Sequence, residues 1–373
     1  MSRKKMATLA PLLALATLAA SPLPAETRDA GGIARCIAAE AARVDFSGVV
    51  SVVLPGGPIT YARGRLAGPG SRNIDADTRF NLASAGKMFT AVAVAQLVDS
   101  GKIGLDDPVG RHVTGLSPAT AAVTVRQLLT HSAGLGNYFT PDNLAAIQRA
   151  RSASDLLPFV ASDMPAFPPG SRFEYSNTGF LLLGILIERV SGETYGQYLR
   201  RHIFGPAGMT ASGVDAEPAA TRAIGMTAMP AFASEPPARP LRPAPEAALR
   251  GGPAGGTYST AADLKRFFAA LEAGELTSPA MFQALTSRQI EAAPATGTAP
   301  ERDYGLGFGA GVFDGHRWFG HNGGAPGVNT ELAAWPEDHA ALIVLADRDP
   351  PAATTLFRQV RAMIFSPSPC KAP

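Results

Sequence analysis

The sequence has 373 residues, of which 46% are hydrophobic and 17% charged, and its formal net charge is +2. This length suits one large domain or two ordinary ones, and the apolar fraction allows a sizeable core. The nearly neutral charge gives no reason to expect nucleic acid as a partner.

The N-terminus has the features of a signal peptide over residues 1–25. A basic cluster at 3–5 precedes an apolar run at 7–20, which is too short to span a bilayer comfortably. A retained membrane anchor is the alternative, but Pro11 interrupts the run. We therefore expect the mature chain, 26–373, to be exported to the periplasm or secreted, with no stable membrane span.

Apolar periodicity and turn residues predict the elements that follow. In chain order these are a helix at 32–44, a β-hairpin of 46–54 and 59–66, a short strand at 78–83, a buried helix from 88 to 98, a helix at 123–130, a loosely helical stretch at 141–165, and helices at 181–190 and 195–204. The proline- and alanine-rich stretch 216–253 is interpreted as a long irregular loop, with a linker between two domains as the alternative. A helix at 264–273, strands at 305–313, 317–320, 330–335 and 340–346, and a helix at 352–364 complete the chain.

Strands therefore lie at both ends of the chain and helices in the middle. This order fits an α+β fold, with one antiparallel sheet from about 33–83 and 300–365 and a helical subdomain inserted at about 105–290. The helices at the two ends would cover one sheet face and bring Cys36 near Cys370. A disulfide between them is plausible in an exported protein, and two unpaired thiols are the alternative.

A candidate nucleophile stands at the start of the buried helix. Ser84 is followed three residues later by Lys87, a spacing that places both side chains on one helix face. Desolvation near a dry core lowers the pKa of a lysine, and a neutral amine beside a serine hydroxyl is a base beside a nucleophile. The pair alone is weak, because a surface serine and lysine at a helix start give the same pattern.

Two further segments carry groups that could act together with Ser84 and Lys87. Tyr175 and Asn177 lie before a helix, where a phenol near a lysine ammonium ionises more easily and an amide can hold the lysine or a substrate carbonyl. His321, Gly323 and Gly324 follow a strand, where a glycine edge lets a substrate approach and leaves an N–H free for an oxyanion hole.

Another histidine follows the helix at 123–130. His131 precedes a glycine turn, and we interpret it as a structural residue that bonds to the backbone rather than as a catalytic one.

With these segments in this order, the sequence resembles the serine β-lactamase and penicillin-binding-protein superfamily, closest to the class C β-lactamase, D,D-peptidase and esterase branch. The resemblance covers about 46–364 and implies a β-lactamase/transpeptidase-like fold with a five-stranded antiparallel sheet. It implies that Ser84 is the acylated nucleophile, Lys87 its partner base and Tyr175 a general base and acid. Which of Lys87 and Tyr175 takes the proton stays open.

The resemblance also assigns the remaining site residues. Asn177 would be the polar residue beside the tyrosine, and His321 and Gly323 would match the third family motif. Gly324 would supply the second oxyanion N–H. The family's K-T-G is H-N-G here, and a largely neutral histidine is a poor partner for the carboxylate that every penicillin carries.

The sequence therefore predicts an exported serine hydrolase that acts through an acyl-enzyme on a small ester or a D-amino-acid peptide or amide. A class C-like β-lactamase is one alternative, and a catalytically silent protein that binds cell-wall fragments is another. No cofactor is expected, and no metal, because the six histidines show no close pair with ligand spacing. An α/β-hydrolase is disfavoured because no G-x-S-x-G occurs. The oligomeric state stays open.

Overall fold

The computed structural model describes residues 30–66, 72–215, 221–229, 240–244, 251–293 and 302–365. Its α-helices are α1 (Ala30–Arg43), α2 (Lys87–Asp99), α3 (Pro118–Ala121), α4 (Val125–Leu129), α5 (Leu144–Arg149), α6 (Asn177–Ser191), α7 (Tyr195–Leu199), α8 (Ala261–Glu272), α9 (Pro279–Thr286) and α10 (Ala352–Phe365). Its strands are β1 (Gly48–Val53), β2 (Ile59–Arg63), β3 (Phe80–Asn81), β4 (Met226–Thr227), β5 (Arg242–Pro243), β6 (Tyr258–Ser259), β7 (Ile290–Ala293), β8 (Arg302–Tyr304), β9 (Gly309–Phe313), β10 (His316–Ala325), β11 (Val328–Trp335) and β12 (Ala340–Ala346).

The main sheet is antiparallel and joins both ends of the described chain, in the order β2-β1-β12-β11-β10-β9-β8-β7. The prediction of a mixed α+β fold is confirmed, but the sheet has eight strands, whereas five were expected. The segment expected as one strand at 305–313 is interrupted, because Gly305 N–H bonds to the Phe308 carbonyl and Gly307 adopts a φ of +83°. The chain therefore turns there, and β7 and β8 extend the sheet beyond β9.

Two short ladders lie apart from this sheet. The strand expected at 78–83 is β3, and it pairs with β6. The stretch expected to be irregular at 216–253 contains β4 and β5, which pair with each other in its described part.

Helices cover both faces of the sheet, which explains why its central strands are apolar without alternation. In β12, Leu342 and Val344 face a layer built by α1 and α10, whereas Ile343 and Leu345 face the larger core that contains α2, α6 and α8. Successive side chains of a strand point to opposite faces, so each face has its own apolar set. The prediction that the first and last helices cover one face together is confirmed.

The helix α2 is the centre of the larger core. Its residues from Met88 to Ala95 are fully buried, as its apolar sequence predicts. It packs against α6, α7 and α9 and so fixes the residues at its own N-terminus relative to the rest of the helical layer.

Two predictions fall outside the described residues. One is the signal peptide at 1–25. The other is the disulfide between Cys36 and Cys370, which stays a prediction because Cys370 lies beyond the described residues. Cys36 itself is buried on α1. Among the helices that the structure describes, none combines the length and the apolar character needed to cross a membrane.

Candidate active site

Ser84 lies on a tight turn that leads into α2. The turn is a 3₁₀ helix at Ala83–Gly86, here called the Ser84 turn, and α2 begins at Lys87. Ser84 was expected on the first turn of the α-helix itself, and it lies just before it. Ala83 has a φ of +44°, an unfavourable conformation for an alanine, and such strain commonly accompanies functional residues. The turn directs the Ser84 hydroxyl toward Lys87.

Lys87 is fully buried and meets three oxygen atoms. Its Nζ lies 3.3 Å from Ser84 Oγ and 2.8 Å from Asn177 Oδ1, and it also donates to the carbonyl of Ala254. Burial lowers the pKa of Lys87 well below its usual value. The Asn177 and Ala254 oxygens can only accept, so a neutral amine gives them its two N–H groups and turns its lone pair to Ser84.

Tyr175 forms the outer wall beside this pair. Its ring centroid lies 4.8 Å from Lys87 Nζ, and its hydroxyl interacts with the Ser84 side chain. The expectation that Lys87 would make the phenol more acidic was wrong, because burial raises the pKa of Tyr175 and the interaction with Ser84 opposes this only in part. Tyr175 still exposes 41% of its surface, so solvent weakens that effect. The phenol is therefore a proton donor at neutral pH.

Asn177 is the first residue of α6 and holds Lys87 in place. Its Oδ1 accepts from Lys87, and its Nδ2 donates to Asn137 Oδ1 at 3.0 Å. Ser176 caps α6 by accepting from the Gly179 N–H, which fixes the start of this helix. Asn137 was not predicted as a site residue, because a single asparagine in a glycine-rich loop carries no periodic or motif signal.

The strand β10 closes the other side of the cleft. A Cβ at Gly323 would lie 2.1 Å from the Leu82 carbonyl oxygen, so only glycine lets β10 come this close to the Ser84 turn. The motif 321–324 was expected at the end of a strand, and it lies inside β10, which continues to Ala325.

The register of β10 shows which of its amides face this cleft. A two-residue turn at 314–315 joins β9 to β10, so His316 forms a hydrogen-bonded pair across it. Every second residue after His316, including Gly324, therefore directs its N–H toward the β9 side. The ladder between β9 and β10 ends at Gly320, so the Gly324 N–H is directed to the part of this edge that β9 does not cover, on a strand that contacts the Ser84 turn.

His321 is buried at the base of this wall and bonded on both ring nitrogens. Its Nδ1 lies 2.6 Å from the Asn322 carbonyl oxygen and its Nε2 lies 2.9 Å from the Tyr304 hydroxyl. Burial, with a smaller contribution from Lys87, lowers its pKa to about 4, against the opposing hydrogen bond to Asn322. His321 is therefore neutral at physiological pH, as its residue type led us to expect.

His131 and Tyr304 complete the floor beneath Tyr175. His131 Nδ1 accepts from the Ser176 N–H at 3.0 Å, which confirms that it bonds to the backbone. Its ring packs on that of Tyr175, with centroids 4.2 Å apart, and its Nε2 lies 3.2 Å from the Tyr304 hydroxyl. Tyr304, on β8, was not identified from the sequence.

The structure thus brings Ser84, Lys87, Tyr175, Asn177 and the β10 segment of His321, Gly323 and Gly324 into one cleft. A buried amine, a serine hydroxyl and a phenol lie close together there, and the Gly324 N–H is directed to the open edge of β10. This set of groups suits attack on a carbonyl and stabilisation of the oxyanion that results.

Comparison with known proteins gives three findings. The family model described as Beta-lactamase matches residues 33–362. Penicillin-binding protein 4 of Amycolatopsis lactamdurans is 28% identical over 301 residues, which are 77% of this chain and 77% of that protein. A penicillin-binding protein from Bacillus halodurans has a crystal structure that matches this one with a TM-score of 0.77. Its sequence is 28% identical, and the match covers 88% of this chain and 98% of that one.

A further solved structure differs in its stated activity. The D-amino acid amidase from Ochrobactrum anthropi SV3, in complex with D-phenylalanine, is 26% identical with a TM-score of 0.71. The match covers 85% of this chain and 91% of the amidase.

Proposed function

The chain belongs to the beta-lactamase family and is a serine hydrolase, and on this premise we propose that it works through an acyl-enzyme on Ser84. The observation that carries the proposal is the buried Lys87, whose Nζ lies 3.3 Å from Ser84 Oγ while its N–H groups are directed to two carbonyl oxygens. An amine held in this way is a base aimed at the serine hydroxyl.

In the acylation step, Ser84 Oγ bonds to the substrate carbonyl carbon as its proton moves to Lys87 Nζ. The carbonyl oxygen becomes an oxyanion that accepts from the N–H groups of Ser84 and Gly324. Removing one donor of this kind typically costs about 10²–10³ in kcat. When the intermediate collapses, the bond to the leaving amine or alkoxide breaks, and the leaving group takes a proton from the Lys87 ammonium through the Tyr175 hydroxyl.

Deacylation reverses these roles. A water molecule attacks the acyl carbon and gives its proton through Tyr175 to Lys87. The bond from the acyl carbon to Ser84 Oγ then breaks, Oγ takes a proton from the Lys87 ammonium, and the carboxylic acid is released. We assign the base to Lys87 because burial lowers its pKa, whereas burial raises that of Tyr175. Tyr175 acts as the relay between Lys87 and the leaving group.

We propose that the substrates are small esters and D-amino-acid amides or peptides without a carboxylate beside the scissile bond. His321 occupies the position of the family's motif lysine, and its pKa of about 4 leaves it uncharged at neutral pH. It therefore offers no cation to the carboxylate of a β-lactam. The likeness to a D-amino acid amidase supports an amide substrate.

We also propose that the protein is exported. The support is the basic cluster at 3–5 followed by the apolar run at 7–20, which is the pattern of a secretory signal. N-terminal sequencing of protein from the periplasm or medium tests this, and a mature N-terminus near residue 26 is expected. Recovery of the protein only in the cytoplasm, with residues 1–25 retained, would contradict export.

The test of activity compares four substrates with the purified protein: p-nitrophenyl butyrate, D-phenylalanine amide, L-phenylalanine amide and nitrocefin. We expect turnover of the ester and the D-amide, little of the L-amide and slow turnover of nitrocefin. Ser84→Ala should abolish all of it, while Ser100→Ala, which changes a serine at the far end of α2, should not. Rapid nitrocefin turnover would instead favour a β-lactamase, and no turnover at all would favour a silent binding protein.

A further inference from the structure

Four hydrogen bonds form one continuous chain beneath the cleft. It runs from the Ser176 amide to His131 Nδ1 (3.0 Å), from His131 Nε2 to the Tyr304 hydroxyl (3.2 Å), from that hydroxyl to His321 Nε2 (2.9 Å), and from His321 Nδ1 to the Asn322 carbonyl (2.6 Å). It joins the loop before α6 to β10 through β8. His131, Tyr304 and His321 are all buried.

The direction of every bond follows from the two ends. The Asn322 carbonyl can only accept, so His321 carries its proton on Nδ1, and Nε2 of the neutral ring accepts from the Tyr304 hydroxyl. The Ser176 N–H can only donate, so His131 accepts on Nδ1, carries its proton on Nε2 and donates to the Tyr304 oxygen. The two histidines are thus neutral and protonated on opposite nitrogens, with Tyr304 as the link.

An additional proton has no place in this chain. A proton on His321 Nε2 would face the hydroxyl hydrogen of Tyr304, and turning that hydrogen away would take it from the only acceptor that this chain gives it. The titratable groups that face His321 are Lys87 on α2, His131 and Tyr304, and Tyr304 in turn faces Tyr175. Burial disfavours a cation at His321, and so does Lys87 whenever it carries a charge.

We propose that Tyr304 is a positioning residue that keeps His321 neutral and protonated on Nδ1, and that it thereby sets the preference of this cleft for substrates without a carboxylate. The first half of the proposal concerns the resting protein alone. The second half rests on the proposed function, since it concerns which substrates are turned over. Tyr304 acts through His321 and does not touch the reacting atoms.

Tyr304→Phe distinguishes the hydrogen bond of Tyr304 to His321 from the packing of its ring. The variant keeps the ring and removes the hydroxyl, so His321 Nε2 loses its donor and becomes free to take a proton. We expect the pKa of His321 to rise by about one unit or more, as for a group that loses a hydrogen bond to its neutral form. A cation then appears in mildly acid solution where the family motif places its lysine.

The first measurement is NMR of the protein labelled with ¹⁵N in histidine. The chain has six histidines, and His131→Gln and His321→Gln assign the two that matter. In the wild type at neutral pH we expect the Nδ1-protonated form for His321 and the Nε2-protonated form for His131. In Tyr304→Phe the His321 signals should titrate at higher pH. Tyr198→Phe, which removes another buried tyrosine hydroxyl, should leave both histidines unchanged.

The second measurement is the ratio of kcat/KM for nitrocefin, which carries a carboxylate, to that for p-nitrophenyl butyrate. In mildly acid solution Tyr304→Phe should raise this ratio at least about tenfold, as expected for a new hydrogen bond to a charged group. A purely structural role would lower both values together and leave the ratio unchanged.

Several results would overturn the proposal. These are an Nε2-protonated or charged His321 in the wild type at neutral pH, an unchanged His321 titration in Tyr304→Phe, or an unchanged substrate ratio in that variant. The NMR result does not depend on turnover. An inactive protein with the expected histidine signals would refute the proposed function and the substrate preference while leaving the hydrogen-bond chain in place.

Discussion

Replacing Lys87 by methionine is expected to change how the stability of the protein depends on pH. Lys87 is fully buried, and burial lowers its pKa well below the usual 10.5. Between the folded-state pKa and 10.5, the unfolded chain binds a proton that the folded protein lacks. Raising the pH through this window therefore stabilises the folded protein, by about 1.4 kcal/mol for each pH unit.

Lys87→Met removes this titration, so its free energy of unfolding should lack that slope. The variant also deprives the Asn177 and Ala254 oxygens of a donor, which costs about 1–3 kcal/mol for each buried acceptor at every pH. That offset does not alter the slope, so the slope isolates the protonation state of the amine.

Urea denaturation of both proteins between about pH 7 and pH 10 measures the effect. The free energy of unfolding of the wild type, minus that of Lys87→Met, should increase with pH across this range. Lys102→Met, which alters an exposed lysine just beyond α2, is the matched control. Parallel curves for the wild type and Lys87→Met would mean that Lys87 is charged in the folded protein, which would refute its role as a neutral base.

Three further substitutions test other parts of the account. Gly323→Ala would place a Cβ 2.1 Å from the Leu82 carbonyl oxygen and push β10 from the Ser84 turn, so ester kcat/KM should fall about 10²–10³-fold in steady-state assays. Asn177→Ala removes the 2.8 Å acceptor of Lys87, and kcat should fall about 10–100-fold with little change in KM. Glu188→Ala removes a buried carboxylate that accepts from three backbone N–H groups, so urea denaturation should show a loss of about 3–5 kcal/mol.

Each of these has a control or a contrary outcome. Gly56→Ala places its Cβ in open space and should leave ester turnover unchanged, in contrast to Gly323→Ala. Wild-type activity in Gly323→Ala would show that β10 does not supply the oxyanion donor. A rise in KM alone in Asn177→Ala would place this residue on the substrate rather than on the lysine. A loss below about 1 kcal/mol in Glu188→Ala would mean that water replaces the carboxylate.

The parts of the fold that repeat a local pattern could be predicted from the sequence. The buried helix α2 follows from an uninterrupted apolar run, and β12 has the predicted bounds 340–346 because both faces of that strand are covered. Spacing also placed Ser84 and Lys87 on one side of their turn. These signals depend on residues close together in the chain.

The parts of the fold and of the site that could not be predicted depend on tertiary contacts, which no local sequence pattern contains. The strands β7 and β8 are short and pair across a bulge, so they lack the alternation that reveals longer strands. Tyr304 matters because it meets His131, 173 residues away, and His321, and neither contact leaves a trace in the neighbouring sequence. The direction in which the pKa of Tyr175 shifts was predicted wrongly for the same reason, because distant segments of the chain bury its hydroxyl.

The most direct test of the central claim is to trap the acyl-enzyme. The protein is mixed with p-nitrophenyl butyrate, quenched in acid during turnover, digested and examined by mass spectrometry. We predict a mass increase of one butyryl group on the peptide that contains Ser84, absent in Ser84→Ala and accumulating in Tyr175→Phe as deacylation slows. Turnover with no adduct on Ser84 under any quench condition, or with the butyryl group on another side chain, would contradict the account.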